Sequence, residues 1–358
     1  MRRSAPGISP PAASRRRFLG QALAAGAVCL GPPALGQATR QIADSAGRTV
    51  VLPAKVERVF AAGPPAGILL YALAPDKLIG WTNTWREDER AFIPKRYADL
   101  PTLGRLTGRG NTANIEVVLA AKPDLILDYG SINPTYVSLA DRTQQQAGIP
   151  YALIDGSFDR MPDAFRLLGA MLDEPARGEE LARYAQDTVA EIDRRVAAVP
   201  PDRRPRVYYA RGPRGLDTGL AGSINVESLE RVGAVNVAAA LGRGGMNTVS
   251  MEQILLWDPE VIVTIDAHFF AAVKQDPMWR DVKAVKDGRV YLSPTLPYGW
   301  VDFPPSFNRL IGLRWLAKLL YPAVFPEDLR PAVRDFYTRF YHQQPSEPQL
   351  DQLLQGLR

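Results

Sequence analysis

The side chains best suited to gripping a charged small molecule are concentrated in one stretch, Tyr209-Ala-Arg-Gly-Pro-Arg214, where a strand ends and two arginines follow in a Gly/Pro turn. A guanidinium offers planar donors that engage two oxygens at once, so Arg211 and Arg214 suit a carboxylate, a phosphate or an oxyanion. Arg105 could add a third positive charge. An anionic ligand, or a chelate with net negative charge, is the natural partner of such a cluster, although each arginine reads equally well as a solvated loop residue. Tyr129, Tyr298 and Trp300 supply flat apolar faces, which bury much area at low entropic cost and suit a bulky chelate. Lobe packing accounts for Trp300 equally well. Phe303-Pro-Pro-Ser-Phe307 either continues that wall or starts the next helix.

Other chemistries find little support. The chain has two histidines, His268 and His342. A bare zinc or manganese site needs three or four His and carboxylate ligands, so a protein-built metal cage is not expected. Haem needs a His or Tyr axial ligand. His268 or Tyr129 could serve, but His268 before Phe269-Phe270 is also a plain loop residue at a strand end. There is no Gly-x-Ser-x-Gly elbow, no phosphate-cradling Gly loop ending in Lys-Ser/Thr, and no metal-hydrolase histidine pair. Asp128 and Asp155 are the carboxylates that could act as acid and base, and nothing else supports turnover. These residues therefore do not read as an enzyme's active site or as a cofactor site. A compact arginine cluster would also favour a molybdate or tungstate oxyanion as the ligand.

At 358 residues, 46% hydrophobic and 23% charged, the chain is long enough for two modest α/β domains. Its net charge of +5 owes much to Arg2, Arg3, Arg15, Arg16 and Arg17, which no acidic residue offsets before Asp44. The remainder is near neutral and carries no nucleic-acid footprint. Residues 1–38 read as a signal peptide: Arg15-Arg16-Arg17-Phe18-Leu19 resembles a twin-arginine signal, and an apolar run interrupted by Pro32 and Pro33 is too short to span a bilayer. The single cysteine, Cys29, lies in that leader, preceded by Val28 where a lipoprotein signal wants a small residue. A periplasmic location without a lipid anchor is expected.

Elements that would position the candidate residues follow from periodicity. A hairpin is predicted at 44–53 with Gly47 at the turn, and strands at 58–63, 77–81, 124–128 and 151–154. Helices fall at 115–121 and 136–147. A helical stretch over 161–199 contains Pro175 and can be two helices in sequence. Strands at 206–210, 261–265 and 289–292 alternate with helices at 226–232 and 251–257, and a helix-rich tail starts at Phe307. Such alternation implies mostly parallel sheets with ligands at the carboxyl ends of strands. One phrase occurs twice: Asn114-Ile-Glu-Val-Val-Leu-Ala-Ala-Lys-Pro-Asp124 and Ser250-Met-Glu-Gln-Ile-Leu-Leu-Trp-Asp-Pro-Glu260 each set a polar N-cap, a short helix and a proline before a β-rich run. Two lobes on a common plan are expected, at 39–160 and 205–358, with a helical linker at 161–204.

The duplicated phrase and the helical connector resemble the solute-binding proteins of ABC importers for ferric siderophores, cobalamin and haem. So do the opening Gly47-Arg-Thr-Val hairpin, Ser223-Ile-Asn-Val-Glu-Ser-Leu-Glu-Arg-Val-Gly and Met278-Trp-Arg-Asp-Val-Lys-Ala-Val-Lys-Asp-Gly-Arg-Val-Tyr. The likeness covers about residues 43–320. It implies a class III periplasmic binding protein, with two Rossmann-like lobes joined by a single long helix, a cleft between them, a monomeric state, and a permease and ATPase at the inner membrane as partners. It also implies ligand contacts from strand-end loops: Pro64, Arg105 and Tyr129 in lobe one; Arg211, Arg214, Met246, His268, Tyr298 and Trp300 in lobe two. One surface glutamate per lobe docks such proteins on the permease, and Glu116 and Glu252 occupy the matching places. An acidic residue in a helix's first turn is also favoured by the dipole alone.

Overall fold

A computed structural model describes residues 38–108 and 112–357. The expected leader, with Cys29 and the arginine run, lies outside these residues except for Ala38. Strands β1 (Thr39–Ala43) and β2 (Thr49–Pro53) form the opening antiparallel hairpin, with Gly47 at φ 75° in its turn. A left-handed backbone of this kind is what glycine adopts without a Cβ clash. Strands β3 (Val59–Ala61), β4 (Leu125–Gly130) and β5 (Tyr151–Asp155) make a three-stranded parallel sheet. The second half contributes β6 (Arg206–Ala210), β7 (Asp217–Gly219), β8 (Val235–Asn236), β9 (Met246–Thr248), β10 (Val261–Thr264) and β11 (Val290–Leu292). Four of these form a parallel sheet in the order β11-β10-β6-β8, and β7 pairs with β9 as a separate antiparallel ribbon. The segment 77–81 is not a strand. Isolated bridges Val59–Leu78 and Trp81–Thr102 hold it, and the Trp81 indole N–H donates to the Tyr97 carbonyl at 2.7 Å. Its apolar run is satisfied by packing, not by a ladder.

The strands sort their side chains with the two-residue period of β structure. In β4, Leu125, Leu127 and Tyr129 face one way and Ile126 the other; in β6, Val207 and Tyr209 oppose Tyr208 and Ala210; in β10, Val261 and Val263 oppose Ile262. One face of each sheet packs on its own helices and turns: Val118 and Ala140 in the first half, Trp257 and Phe269 with Trp279 of the turn that follows in the second. The other faces join one shared core with the connector and the tail helices.

The connector is a pair of helices, Met161–Met171 and Pro175–Ala197, broken where Asp173 takes φ 59°. The pair stands where a single rod is implied by the resemblance, and Pro175 is the helix-starting signal that marks the break. The helices pack closely: a Cβ on Gly178 would sit 2.7 Å from the Phe165 carbonyl oxygen. The tail returns to the first half, where the Tyr71 hydroxyl donates to the Tyr341 carbonyl at 2.6 Å. Among tail rings, Phe307 stacks on Phe340 with centroids 4.7 Å apart. Gly312, in the helix Arg309–Leu320, fixes how this helix meets the loop before it, because a Cβ there would fall 2.0 Å from the Trp300 carbonyl oxygen. Gly312→Ala should therefore cost about 1–3 kcal/mol by overpacking, read as a lower thermal midpoint with far-UV dichroism retained.

Candidate ligand-binding site

Chain direction brings the carboxyl ends of β6 and β10 to the same edge of the second sheet, since both run parallel. There they open a pocket of about 510 Å³. Arg211 follows β6, and Ile265 and Asp266 follow β10. The β7–β9 ribbon adds Asp217, Met246, Asn247 and Thr248, and Phe303 closes one side. The turn that creates this arrangement is local. Arg211 and Asp217 exchange backbone hydrogen bonds at 2.8 and 3.2 Å, while Gly212 and Gly215 take φ 74° and 70°. Gly215 also has no room for a side chain, since a Cβ would meet the Phe269 ring at 2.3 Å.

Arg211 is held from behind. Its Nε lies 3.4 Å from Asp302 Oδ2, its Nη1 3.6 Å from Met246 Sδ, and its Cζ 5.8 Å from the centre of the Phe303 ring. Asp302 is fully buried. It accepts from the Tyr209 hydroxyl at 2.8 Å, from Asn225 Nδ2 at 2.9 and 3.0 Å, and from the Phe303 backbone N–H at 2.7 Å. Burial and the neighbouring Asp302 charge push the Tyr209 hydroxyl well above its ordinary range, so it remains a donor. On the pocket wall, Asp217 Oδ1 accepts from the Thr248 hydroxyl at 2.6 Å, and Asp266 Oδ1 accepts from the His268 and Phe269 backbone N–H groups at 3.0 Å. Phe303 is 68% exposed, turned outward by a backbone at φ 64° that bulky residues rarely adopt.

Of the nine expected contact residues, Arg211 and Met246 line this pocket together. Arg214 does not: it stands exposed on the hairpin beyond Gly212, because the glycine turn carries it past the strand end. His268 is exposed in the first turn of the helix Ala267–Ala272 and is not among the lining residues. Trp300 is completely buried, with its indole N–H donating to the Tyr337 hydroxyl at 3.0 Å. It is a core residue, and its neighbour Phe303 takes the wall position. Tyr298 packs edge-on against Trp85 with centroids 5.1 Å apart, a contact between the two halves. Tyr129 is buried at the end of β4, where burial pushes its hydroxyl up to about 12 against the pull of Arg309. Pro64 begins the helix after β3, and the Arg105 loop is pinned to the same end of that strand by the Leu106 and Thr107 N–H groups donating to the Ala62 carbonyl at 2.7 and 3.0 Å. Both sit at the carboxyl edge of the first sheet and outside the pocket lining.

Asp128, at the same edge, is buried. Its Oδ1 accepts from the Thr107 hydroxyl at 3.2 Å and the Tyr129 N–H at 3.0 Å, and its Oδ2 from the Tyr151 hydroxyl at 3.2 Å. Burial outweighs these bonds and raises the carboxyl above its ordinary range. A raised carboxyl favours folding at pH below about 4, and that contribution is lost as pH rises through the folded-state value. Asp128→Asn removes the charged form, so its thermal midpoint relative to the parent should climb by a few degrees between pH 4 and pH 7, as read by scanning calorimetry. A difference that stays flat over that range would contradict this.

Glu116 and Glu252 are exposed in the first turns of Ile115–Ala121 and Met251–Trp257. The two helices match in detail: Asn114 Oδ1 accepts from the Val117 N–H and Ser250 Oγ from the Gln253 N–H, and both end on a left-handed residue, Lys122 and Asp258. A hydrogen bond from the Ser250 hydroxyl lowers the Glu252 carboxyl below its ordinary range. Among the described residues no group of three or more His, Cys, Asp or Glu is placed to hold a metal ion, and no helix is long and apolar enough to cross a membrane.

The periplasmic binding protein profile matches residues 69–295, and the chain belongs to that family. An ABC transporter solute-binding protein from Sulfurospirillum deleyianum is 32% identical, superimposes with a TM-score of 0.80, and is covered over 99% of its length by 88% of this chain. The molybdate-binding protein MolA of Haemophilus influenzae is 29% identical over 330 residues, which are 85% of this chain and 91% of MolA. A vitamin B12-binding protein of Vibrio cholerae is 26% identical over 257 residues, 70% of this chain and 85% of that protein. The protein is thus a substrate-binding component of an ABC importer, working with a permease and an ATPase, and not an enzyme.

Proposed function

We propose that the cargo is a metal chelate with an anionic group, of the ferric siderophore or corrinoid kind, and that Arg211 grips that group. The single observation behind this is the pocket around Arg211, which at about 510 Å³ is far roomier than a tetrahedral oxyanion needs. Met246 and Phe303 give it soft, polarizable and aromatic contacts for an organic ligand, and Asn247 and Thr248 give it hydrogen-bonding capacity. Pro64 and Arg105 are assigned to the opposite side of the cleft. A second reading, a molybdate or tungstate oxyanion, is favoured by the likeness to MolA. Haem is less well supported, because His268 stands outside the pocket and Tyr129 is buried.

The remaining roles belong to the same proposal. Residues 1–38 direct export to the periplasm by the twin-arginine route, with no lipid on Cys29. Residues 39–160 and 205–358 are the lobes and 161–204 the linker of a monomer, and Glu116 and Glu252 meet the permease, one from each lobe. The test is a titration of the chain from residue 39, followed by tryptophan fluorescence, with ferric siderophores, cobalamin, haemin, nickel–histidine and molybdate. Saturable quenching by a chelate is expected. Response to molybdate alone would move the assignment to the oxyanion.

A further inference from the structure

We propose that Asp302 sets the charge selectivity of the pocket, holding Arg211 in place and offsetting its charge so that the site prefers a chelate with one anionic group over a free dianion. This rests on the reading of Arg211 as the cargo's anchor. Asp302 has no exposed surface and is fixed from three elements, by Tyr209 in β6, Asn225 in the loop before the helix Glu227–Arg231, and the Phe303 backbone. It cannot swing away from Arg211, and its Oδ2 lies at the Nε edge of the guanidinium. The Nη edge is left to the pocket, beside Met246. The wall itself carries one positive side chain, Arg211, and two negative ones, Asp217 and Asp266. With Asp302 behind, a molybdate dianion would enter a site whose fixed charge is already net negative, and like charge is the device by which a site rejects a wrong partner. A chelate with one carboxylate or phenolate for Arg211, and hydroxyl or amide donors for Asp217 and Asp266, satisfies all three charges.

Molybdate titrated calorimetrically at neutral pH and low ionic strength tests this, since screening is then weak. The chain from residue 39 is compared with Asp302→Asn, Asp217→Asn and Asp302→Asn/Arg211→Gln. Asp302→Asn should bind molybdate about tenfold tighter than the parent, equivalent to about 1.4 kcal/mol. Asp217→Asn should shift affinity in the same direction by less, while keeping the acceptor for Thr248. The gain should vanish in the double variant, which a merely structural role for Asp302 would not require. If Asp302→Asn fails to fold, Asp217→Asn decides. Unchanged or weaker molybdate binding in the single variants, or a gain that survives loss of Arg211, overturns the proposal. Failure of every chelate to bind the parent protein would sink the cargo reading separately, and these affinity ratios would still be measurable.

Discussion

Arg211→Gln should weaken cargo binding by about 10- to 100-fold, while the variant keeps its fold at a lowered thermal midpoint. A hydrogen bond to a charged group contributes about 1.5–3 kcal/mol, and each 1.4 kcal/mol is about a factor of ten in affinity. The fold is kept because Asp302 retains three other donors, Tyr209, Asn225 and the Phe303 N–H, but the fully buried carboxylate loses its guanidinium partner, and that loss lowers the midpoint. Arg211→Lys should recover little, because a lysine ammonium is a point charge that cannot serve Asp302 with one edge and the cargo with the other. Titration of both variants with the chelate that quenches the parent protein is the measurement. Parent-like affinity in Arg211→Gln would mean the cargo sits elsewhere in the cleft, for which Arg105 would be the next residue to replace.

What the sequence made readable here was what local chemistry decides. The helices 115–121 and 251–257 lie where their phrases put them, because an N-cap side chain and a following proline act within a few residues. Arg211 was readable for the same reason, standing just after an apolar strand in a glycine turn. The rest of the site depends on pairs far apart in the chain. Asp302 meets Tyr209 across 93 positions and Asn225 across 77, and no pattern near Asp302 announces either. Both Trp300 and Phe303 were open between wall and packing, and the positive φ that turns Phe303 outward is one that no aromatic residue advertises. Asp266 had a usable signal: it lies at the carboxyl end of β10, the edge where parallel sheets hold ligands, whereas His268, two residues on, is carried out of the pocket by the helix that Asp266 caps.

The shared core bears on how the protein moves. In two lobes with separate cores a connector can act as a hinge. Here the inner faces of both sheets, the connector pair and the tail rings are packed as one cluster, and close-packed interiors do not deform continuously. The same packing keeps the strand-end loops of the two sheets in register, so that cargo would meet a site already assembled and lose less affinity to ordering.

A fully buried link between the halves is Arg309, and Arg309→Met should lower the thermal midpoint by roughly 4–8 °C. The guanidinium is fully buried. Its Nη1 donates to Glu227 Oε2 at 2.5 Å and to the Ile224 carbonyl at 3.4 Å, its Nη2 to the Gly156 carbonyl, and its Nε to the Ser306 carbonyl at 3.1 Å; its Cζ lies 4.5 Å from the centre of the Phe158 ring. Glu227 in turn accepts from the Phe158 N–H at 3.1 Å. Gly156 and Phe158 follow β5 of the first sheet, so one cation joins the first half to Ile224, Glu227 and Ser306 of the second. Breaking a buried ion pair from one side costs about 3–5 kcal/mol, because the remaining charge loses its partner, and with an unfolding entropy of about 2.1 cal/mol/K per residue each kcal/mol moves the midpoint of a chain of this size by about 1.5 °C. Removing both charges should cost less than removing one, so Arg309→Met/Glu227→Leu is expected to regain a good part of the loss. Arg231, which pairs with Asp193 in the connector at 2.5 Å and with Asp159 at 2.7 Å, is the external control: these carboxylates are 42% and 80% exposed, and Arg231→Met should cost about 1 kcal/mol or less. Calorimetric midpoints for the three variants settle the ranking. Equal losses for Arg231→Met and Arg309→Met would show that the two halves are held by the shared apolar core, with no special role for the buried cation. The same variants bear on closure: with Arg309 in place, small-angle scattering should show almost no change in radius of gyration when cargo is added, whereas Arg309→Met should give a larger free-state radius that cargo restores.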